Sequence, residues 1–178
     1  MNIKKEVLKS QESLKKINIE RSSIIVKAKF GPSKETKIPL DLEQKLSFFV
    51  ACIIGDGHLK KGKYQISIEL SNLVLLNYIN KICLGLFDRS FNVRQIKRNG
   101  RKQTYAIYID SKAIYFLLNK VFEIPFGKKS DIVVVPKLIF NSNKKIKSAF
   151  LLGIMATEGG RRKRVLDYLL LAEICGLD

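Results

Sequence analysis

Scarcity constrains this chain before any motif does. It has a single histidine, His58, which excludes a centre built from several imidazoles. Its three cysteines, Cys52, Cys83 and Cys175, lie in apolar surroundings without paired metal-ligand spacing. They read as reduced core residues, as expected of a cytoplasmic protein. No apolar run reaches the ~18 residues that a membrane-spanning helix needs, so no membrane partner is expected. The opening stretch, MNIKKEVLKSQESLKK, lacks the apolar segment of a secretory signal. Acidic residues are also scarce: 16 Asp and Glu face 33 Lys and Arg, a formal net charge of +17. Such an excess suits a polyanion, because every neutralised phosphate releases counterions. Ribosome-binding proteins and proteins of anionic membranes share the bias, so charge narrows the partner without naming an activity.

Apolar residues are plentiful. They form 46% of the 178 residues, with 28% charged, enough for a folded core in one domain or a domain plus a fragment. Residues 1–20 carry a sparse stripe (Ile3, Val7, Leu8, Leu14, Ile17) that predicts a short helix. SSIIVKAKF alternates like a strand, and GPSKET reads as a loop. Asp41 is a candidate N-cap for a helix through LEQKLSFFVACIIGDG, apolar nearly all round and therefore buried on more than one side. YQISIELS alternates as a half-buried strand. LVLLNYINKICLGLF is a helix, and a hairpin turning at Asn99–Gly100 follows. SKAIYFLLNKVF is a helix capped by Ser111, and PFGKKSDIVVVP is an extended connection. NKKIKSAFLLGIMATEGG then repeats the character of the first buried helix. The order predicts an α+β fold with an antiparallel sheet and an internal repeat.

The repeated element carries the chemistry. Phe49-Val50-Ala51-Cys52-Ile53-Ile54-Gly55-Asp56-Gly57 aligns with Leu151-Leu152-Gly153-Ile154-Met155-Ala156-Thr157-Glu158-Gly159. Each is an apolar helix with a small residue at its third position, Ala51 or Gly153, which lets a second helix approach backbone to backbone. Each ends in a carboxylate followed by glycine, which permits a left-handed turn that stops the helix. A carboxylate at a helix C-terminus opposes the dipole by roughly 0.3–1 kcal/mol at exposed sites, a cost that a divalent cation offsets. Two such helices packed together bring two carboxylates to one end of their interface. That is a hard-oxygen site for Mg²⁺, with the chemistry of phosphodiester hydrolysis.

The two segments resemble the paired motifs of the LAGLIDADG homing endonuclease family, in its archaeal and intein-associated branch. The resemblance runs over about 38–160. It implies an αβαββα repeat with a curved antiparallel sheet over 38–140, then a second motif helix and a truncated second repeat over 141–178, with 1–37 of unclear role. It implies a metal-dependent DNA endonuclease, with Asp56 and Glu158 as catalytic metal ligands for Mg²⁺ or another divalent cation. GKKSDIVVVP resembles the family segment that carries a catalytic-site lysine, matched best by Lys129, with Lys128 the competitor; its role is to stabilise charge at the scissile phosphate. His58 is given no catalytic role.

Residue types mark a surface for double-stranded DNA. The hairpin carries Arg94, Gln95, Lys97, Arg98, Arg101, Lys102 and Gln103. Lys60, Lys61, Lys63, Gln65, Ser67 and Glu69 precede it, with Gln65, Ser67 and Glu69 sharing one strand face. A two-stranded ribbon enters the major groove, where Arg and Lys read guanine and Gln reads adenine. Lysines near turns hold phosphates instead. The tail VLDYLLLAEICGLD reads as one apolar helix without a hairpin, so the second DNA-reading sheet is expected to be missing. A homodimer or a complementary half is then the expected remedy. A non-cleaving protein of the same fold, either an RNA maturase or a transcription regulator, is the alternative.

Overall fold

The computed structural model describes residues 3, 14–29, 34–100, 102–127 and 134–158. The chain opens with three antiparallel strands, β1 (Leu14–Ile19), β2 (Ser23–Ala28) and β3 (Thr36–Pro39), paired in the order β1-β2-β3. The helix expected over 1–20 is thus corrected in its second half, where 14–19 is a strand; residues 1–2 and 4–13 lie outside the described residues. A bulge explains the misreading. The register slips between Lys16 and Asn18, so the period of two is broken and Leu14 and Ile17 fall at helical spacing. Ile24, Val26 and Ile38 join the main core, so this sheet is packed on the rest of the chain. Strand β3 spans the expected boundary at residue 37.

Helix α1 (Gln44–Gly55) follows, with Leu46 to Ile53 all buried. Its N-cap is Glu43, without a side-chain cap bond, and not the expected Asp41. Strands β4 (Gly57–Lys60) and β5 (Gln65–Leu70) form a hairpin, and α2 (Leu73–Phe87) begins at Asn72, whose side chain accepts from the Leu75 N–H at 3.0 Å. Strands β6 (Val93–Ile96) and β7 (Thr104–Asp110) complete a second antiparallel sheet in the order β4-β5-β7-β6. The unit is therefore αββαββα. Strand β4 was missed because its four residues, GHLK, are too few to display a period.

Helix α3 (Lys112–Phe116) is capped by Ser111, as its sequence predicts, and widens into a π-helical turn over Leu117–Val121. A short α4 (Lys137–Phe140) leads to α5 (Lys144–Glu158). Asn143 caps α5, its side chain accepting from the Ile146 N–H at 3.1 Å. The core lies between the second sheet and the helices. Leu59, Ile66, Ile68, Ile107 and Ile109 face it from the strands, and Phe49 meets Phe87 edge-on at 5.3 Å. Among the described residues no helix is long and apolar enough to cross a membrane.

Candidate active site and nucleic-acid interface

The two motif helices are brought together. They form the most extensive helix contact among the described residues, and the small residues predicted to allow it lie where the helices approach closest. A Cβ added to Gly153 of α5 would stand 2.6 Å from the Ala51 Cβ and 2.7 Å from the Phe48 carbonyl oxygen of α1. One turn nearer the N-terminus, the buried Ser47 hydroxyl of α1 donates to the Ile146 carbonyl of α5 at 2.8 Å. The two contacts occur in the same order along both helices, so α1 and α5 run in the same direction.

That direction decides where the acidic residues go. Asp56 lies five residues beyond Ala51, and Glu158 lies five residues beyond Gly153. At about 1.5 Å of rise per residue, each helix carries its acidic position about 7.5 Å past the crossing, toward the same end of the interface. Asp56 is the exposed C-cap of α1, its N–H donating to the Cys52 carbonyl at 3.2 Å. Glu158 closes α5, and its side chain lies outside the described part. Burial pushes the Cys52 thiol well up, with Cys83 and the Asp56 carboxylate adding to the shift. The charge at Asp56 is thus felt one turn into the core.

The glycine after Asp56 has another purpose than expected. Gly57 does not take a left-handed conformation; it opens β4. A Cβ there would lie 2.6 Å from the Ile53 Cα and 2.7 Å from its carbonyl oxygen, so only glycine lets the chain leave the helix end this closely.

Among the described residues no group of three or more His, Cys, Asp or Glu could hold a metal by itself. Two acidic positions at one interface end are what Mg²⁺ would suit, since it retains several waters and draws further oxygens from a substrate phosphate. Lys128, Lys129, Arg101 and Gly159 lie outside the described residues.

The second sheet has a covered face and an open one. Strand pairing sets His58 and Lys60 of β4 beside Ser67 and Gln65 of β5, and those beside Tyr108 and Asp110 of β7. Glu69 pairs with Ala106, and Arg94 of β6 lies across from the same Ala106. All these residues share the face opposite Ile66 and Ile68. Lys60 donates to the Gln65 side-chain oxygen at 2.6 Å, and Gln65 donates to Asp110 at 2.6 Å. The Lys60 and Arg94 cations each lie 5.4 Å from the Tyr108 ring centre. Arg98 reaches Glu69 with both terminal nitrogens.

Not every predicted surface residue joins this face. Gln95 pairs with Tyr105, on the opposite side from Arg94, although it is exposed at the edge. Gln103 donates to the Tyr105 hydroxyl. Lys61 and Lys63 are exposed in the β4–β5 turn, Lys61 lying 5.5 Å from the Phe126 ring. Lys97 and Lys102 are exposed in the loop between β6 and β7. That loop is longer than a two-residue turn, with Gly100 at φ 72° near its tip. Sequence reasoning overlooked Tyr108, the aromatic centre of the open face. Its alternation with Ile107 and Ile109 would have placed it there.

No protein-family model matches the chain. Replication factor C small subunit of Methanocaldococcus jannaschii is 34% identical over 115 residues, covering 60% of this chain and 6% of that protein. An A-type ATP synthase subunit from Pyrococcus abyssi is 28% identical over 140 residues, covering 79% of this chain and 13% of that protein. The chain thus spans only a small part of the length of each relative.

Proposed function

We propose that this chain is a site-specific DNA endonuclease of the homing type. In this reading it grips double-stranded DNA with the open face of the β4-β5-β7-β6 sheet and hydrolyses the backbone beside the paired ends of α1 and α5. The observation that carries the reading is the parallel packing of the two motif helices at Ala51 and Gly153, with acidic residues at equal distances beyond the crossing. Asp56 and Glu158 would hold Mg²⁺ or another divalent cation, which supplies an activated water and stabilises the leaving oxygen. Exposure of Asp56 leaves it accessible to a duplex, and its carboxylate at the negative helix end favours a cation. Lys60 and Arg94, flanking Tyr108, supply positive charge where the duplex would lie. Lys129 is assigned to the scissile phosphate on the family resemblance alone. The two relatives bear different names and are matched over small fractions of their lengths, which fits a module carried inside larger chains.

A second layer completes the reading. Leu151 and Met155 of α5 correspond to Phe49 and Ile53 of α1 in the motif alignment. The α1 pair is wholly buried, whereas Leu151 is 60% and Met155 41% exposed. A second copy of the chain, or a complementary half, would cover them as Phe87 of α2 covers Phe49.

The test incubates the purified chain with a randomised duplex library and Mg²⁺, sequences the cut ends and measures mass in solution. Site-specific staggered cuts are expected, and Asp56→Asn, Glu158→Gln and EDTA each abolish them. Salt-sensitive binding of DNA or RNA without cuts would replace this reading with a maturase-like or regulatory one.

A further inference from the structure

On a face that binds a polyanion, a carboxylate works against affinity. Glu69 nevertheless sits within the open face, on β5, and two other segments converge on it. Arg98, from the loop after β6, donates from Nη1 to Oε1 at 2.5 Å and from Nη2 to Oε2 at 2.8 Å. The Thr104 hydroxyl of β7 donates to the same Oε1 at 2.6 Å. Stability does not account for this ion pair: the Arg98 side chain is 50% exposed, and pairs at such sites contribute little. Direct base reading by Glu69 is not favoured either, since both carboxylate oxygens already accept hydrogen bonds. What the arrangement does accomplish is orientation. An end-on pair to both terminal nitrogens fixes the plane of the guanidinium. Among the described residues nothing takes up the edge formed by Nε–H and its neighbouring terminal N–H, a two-donor fork that matches guanine O6 and N7.

We propose that Glu69 is a positioning residue that makes Arg98 the reader of one guanine-containing base pair and keeps it from acting as a general phosphate contact. The proposal rests on the DNA-binding reading above, though not on cleavage. Charge alone would let Arg98 take any nearby phosphate. Pairing with Glu69 removes that option and leaves hydrogen-bond geometry to discriminate.

The test is selection of bound duplexes from a randomised library by the full chain, without Mg²⁺, together with the salt dependence of binding. The unmodified chain is expected to select guanine at one position by roughly tenfold to a hundredfold, the discrimination that a bidentate arginine provides. Glu69→Gln should erase that preference while strengthening binding to random duplex. Its plot of log K against log salt should steepen by about one phosphate's worth as Arg98 is released to the backbone. Arg98→Lys, which keeps the charge but not the fork, should also lose the preference, with total affinity nearly retained. It serves as the decisive variant if Glu69→Gln does not fold. A uniform weakening on all sequences in Glu69→Gln would mean a merely structural role and overturn the proposal. An unchanged base profile in both variants would overturn it while leaving the DNA-binding reading intact. Absence of duplex binding by the unmodified chain would overturn both.

Discussion

Replacing Gly153 by alanine adds one methyl group at the tightest point between α1 and α5. Two effects oppose each other. Alanine is the better helix former, by about 1 kcal/mol at an open helical position. Against this, the new Cβ would meet the Ala51 Cβ at 2.6 Å and the Phe48 carbonyl oxygen at 2.7 Å. Ordinary contact begins near 3.4 Å, so the helices must part by about 0.8 Å. Neither obstacle is the free end of a flexible side chain, and the buried Ser47 bond to α5 resists the separation. Overpacking of this kind costs about 1–3 kcal/mol, so after the helix gain the net expectation is a loss of about 0–2 kcal/mol. For a chain of this size that lowers Tm by up to roughly 8 °C. Gly85→Ala is the internal control: it lies in α2 with nothing within 4 Å of the added Cβ, and should gain about 0.5–1 kcal/mol. Thermal and urea unfolding followed by circular dichroism compare the two. Equal stabilisation by both substitutions would refute the close-approach argument. Adding Ala51→Gly to Gly153→Ala should recover part of the loss, because it removes one of the two obstacles.

Other expectations follow the same logic. Ser47→Ala removes the buried bond to Ile146 and should cost about 0.5–1.5 kcal/mol by urea unfolding. Tyr64 has φ 46° and packs its ring on Tyr115 and Phe116 beneath Lys112. Tyr64→Ala keeps the strained backbone and loses the ring, whereas Tyr64→Gly relieves the strain, so the glycine variant should be the more stable by about 1 kcal/mol. The hydrogen bond from Arg98 holds the Glu69 carboxyl below its ordinary 4.5. The stabilisation from that pairing is therefore complete above pH 4.5 and is lost as pH falls through the lower folded-state value; carboxyl titration by NMR should show an upward shift in Arg98→Ala. Burial raises the Cys52 and Cys83 thiols, so peptide mapping should find both unlabelled by a thiol reagent at about pH 8 in the folded chain and labelled in urea.

Periodicity made the helices legible, and the small residues Ala51 and Gly153 made their pairing legible before any coordinates. Both signals are local repetitions that a single chain displays. The failures are equally physical. At Lys16–Asn18 a bulge gave a strand the spacing of a helix. The four residues of β4 were too few to declare themselves. Gly57 was credited with a left-handed turn, because the crowding at Ile53 that requires a glycine there arises only once the chain has folded back. Arg94 and Gln95 were grouped as neighbours in sequence, although alternation sends them to opposite faces. The bond between Glu69 and Arg98 joins residues 29 apart across an intervening strand, and no local pattern announces it.

The crossing of α1 and α5 also governs how such a sequence can drift. Ala51 and Gly153 together fill a space that has no room for one more methyl group, so the two positions share a single allowance of volume. A gain on one helix is tolerable only with a matching loss on the other, and even a swap of the two residues should recover only part of the cost of enlarging Gly153, because the Phe48 carbonyl still stands in the way. Replacing either helix with one of different sequence will then succeed or fail largely on whether alanine on the first still faces glycine on the second.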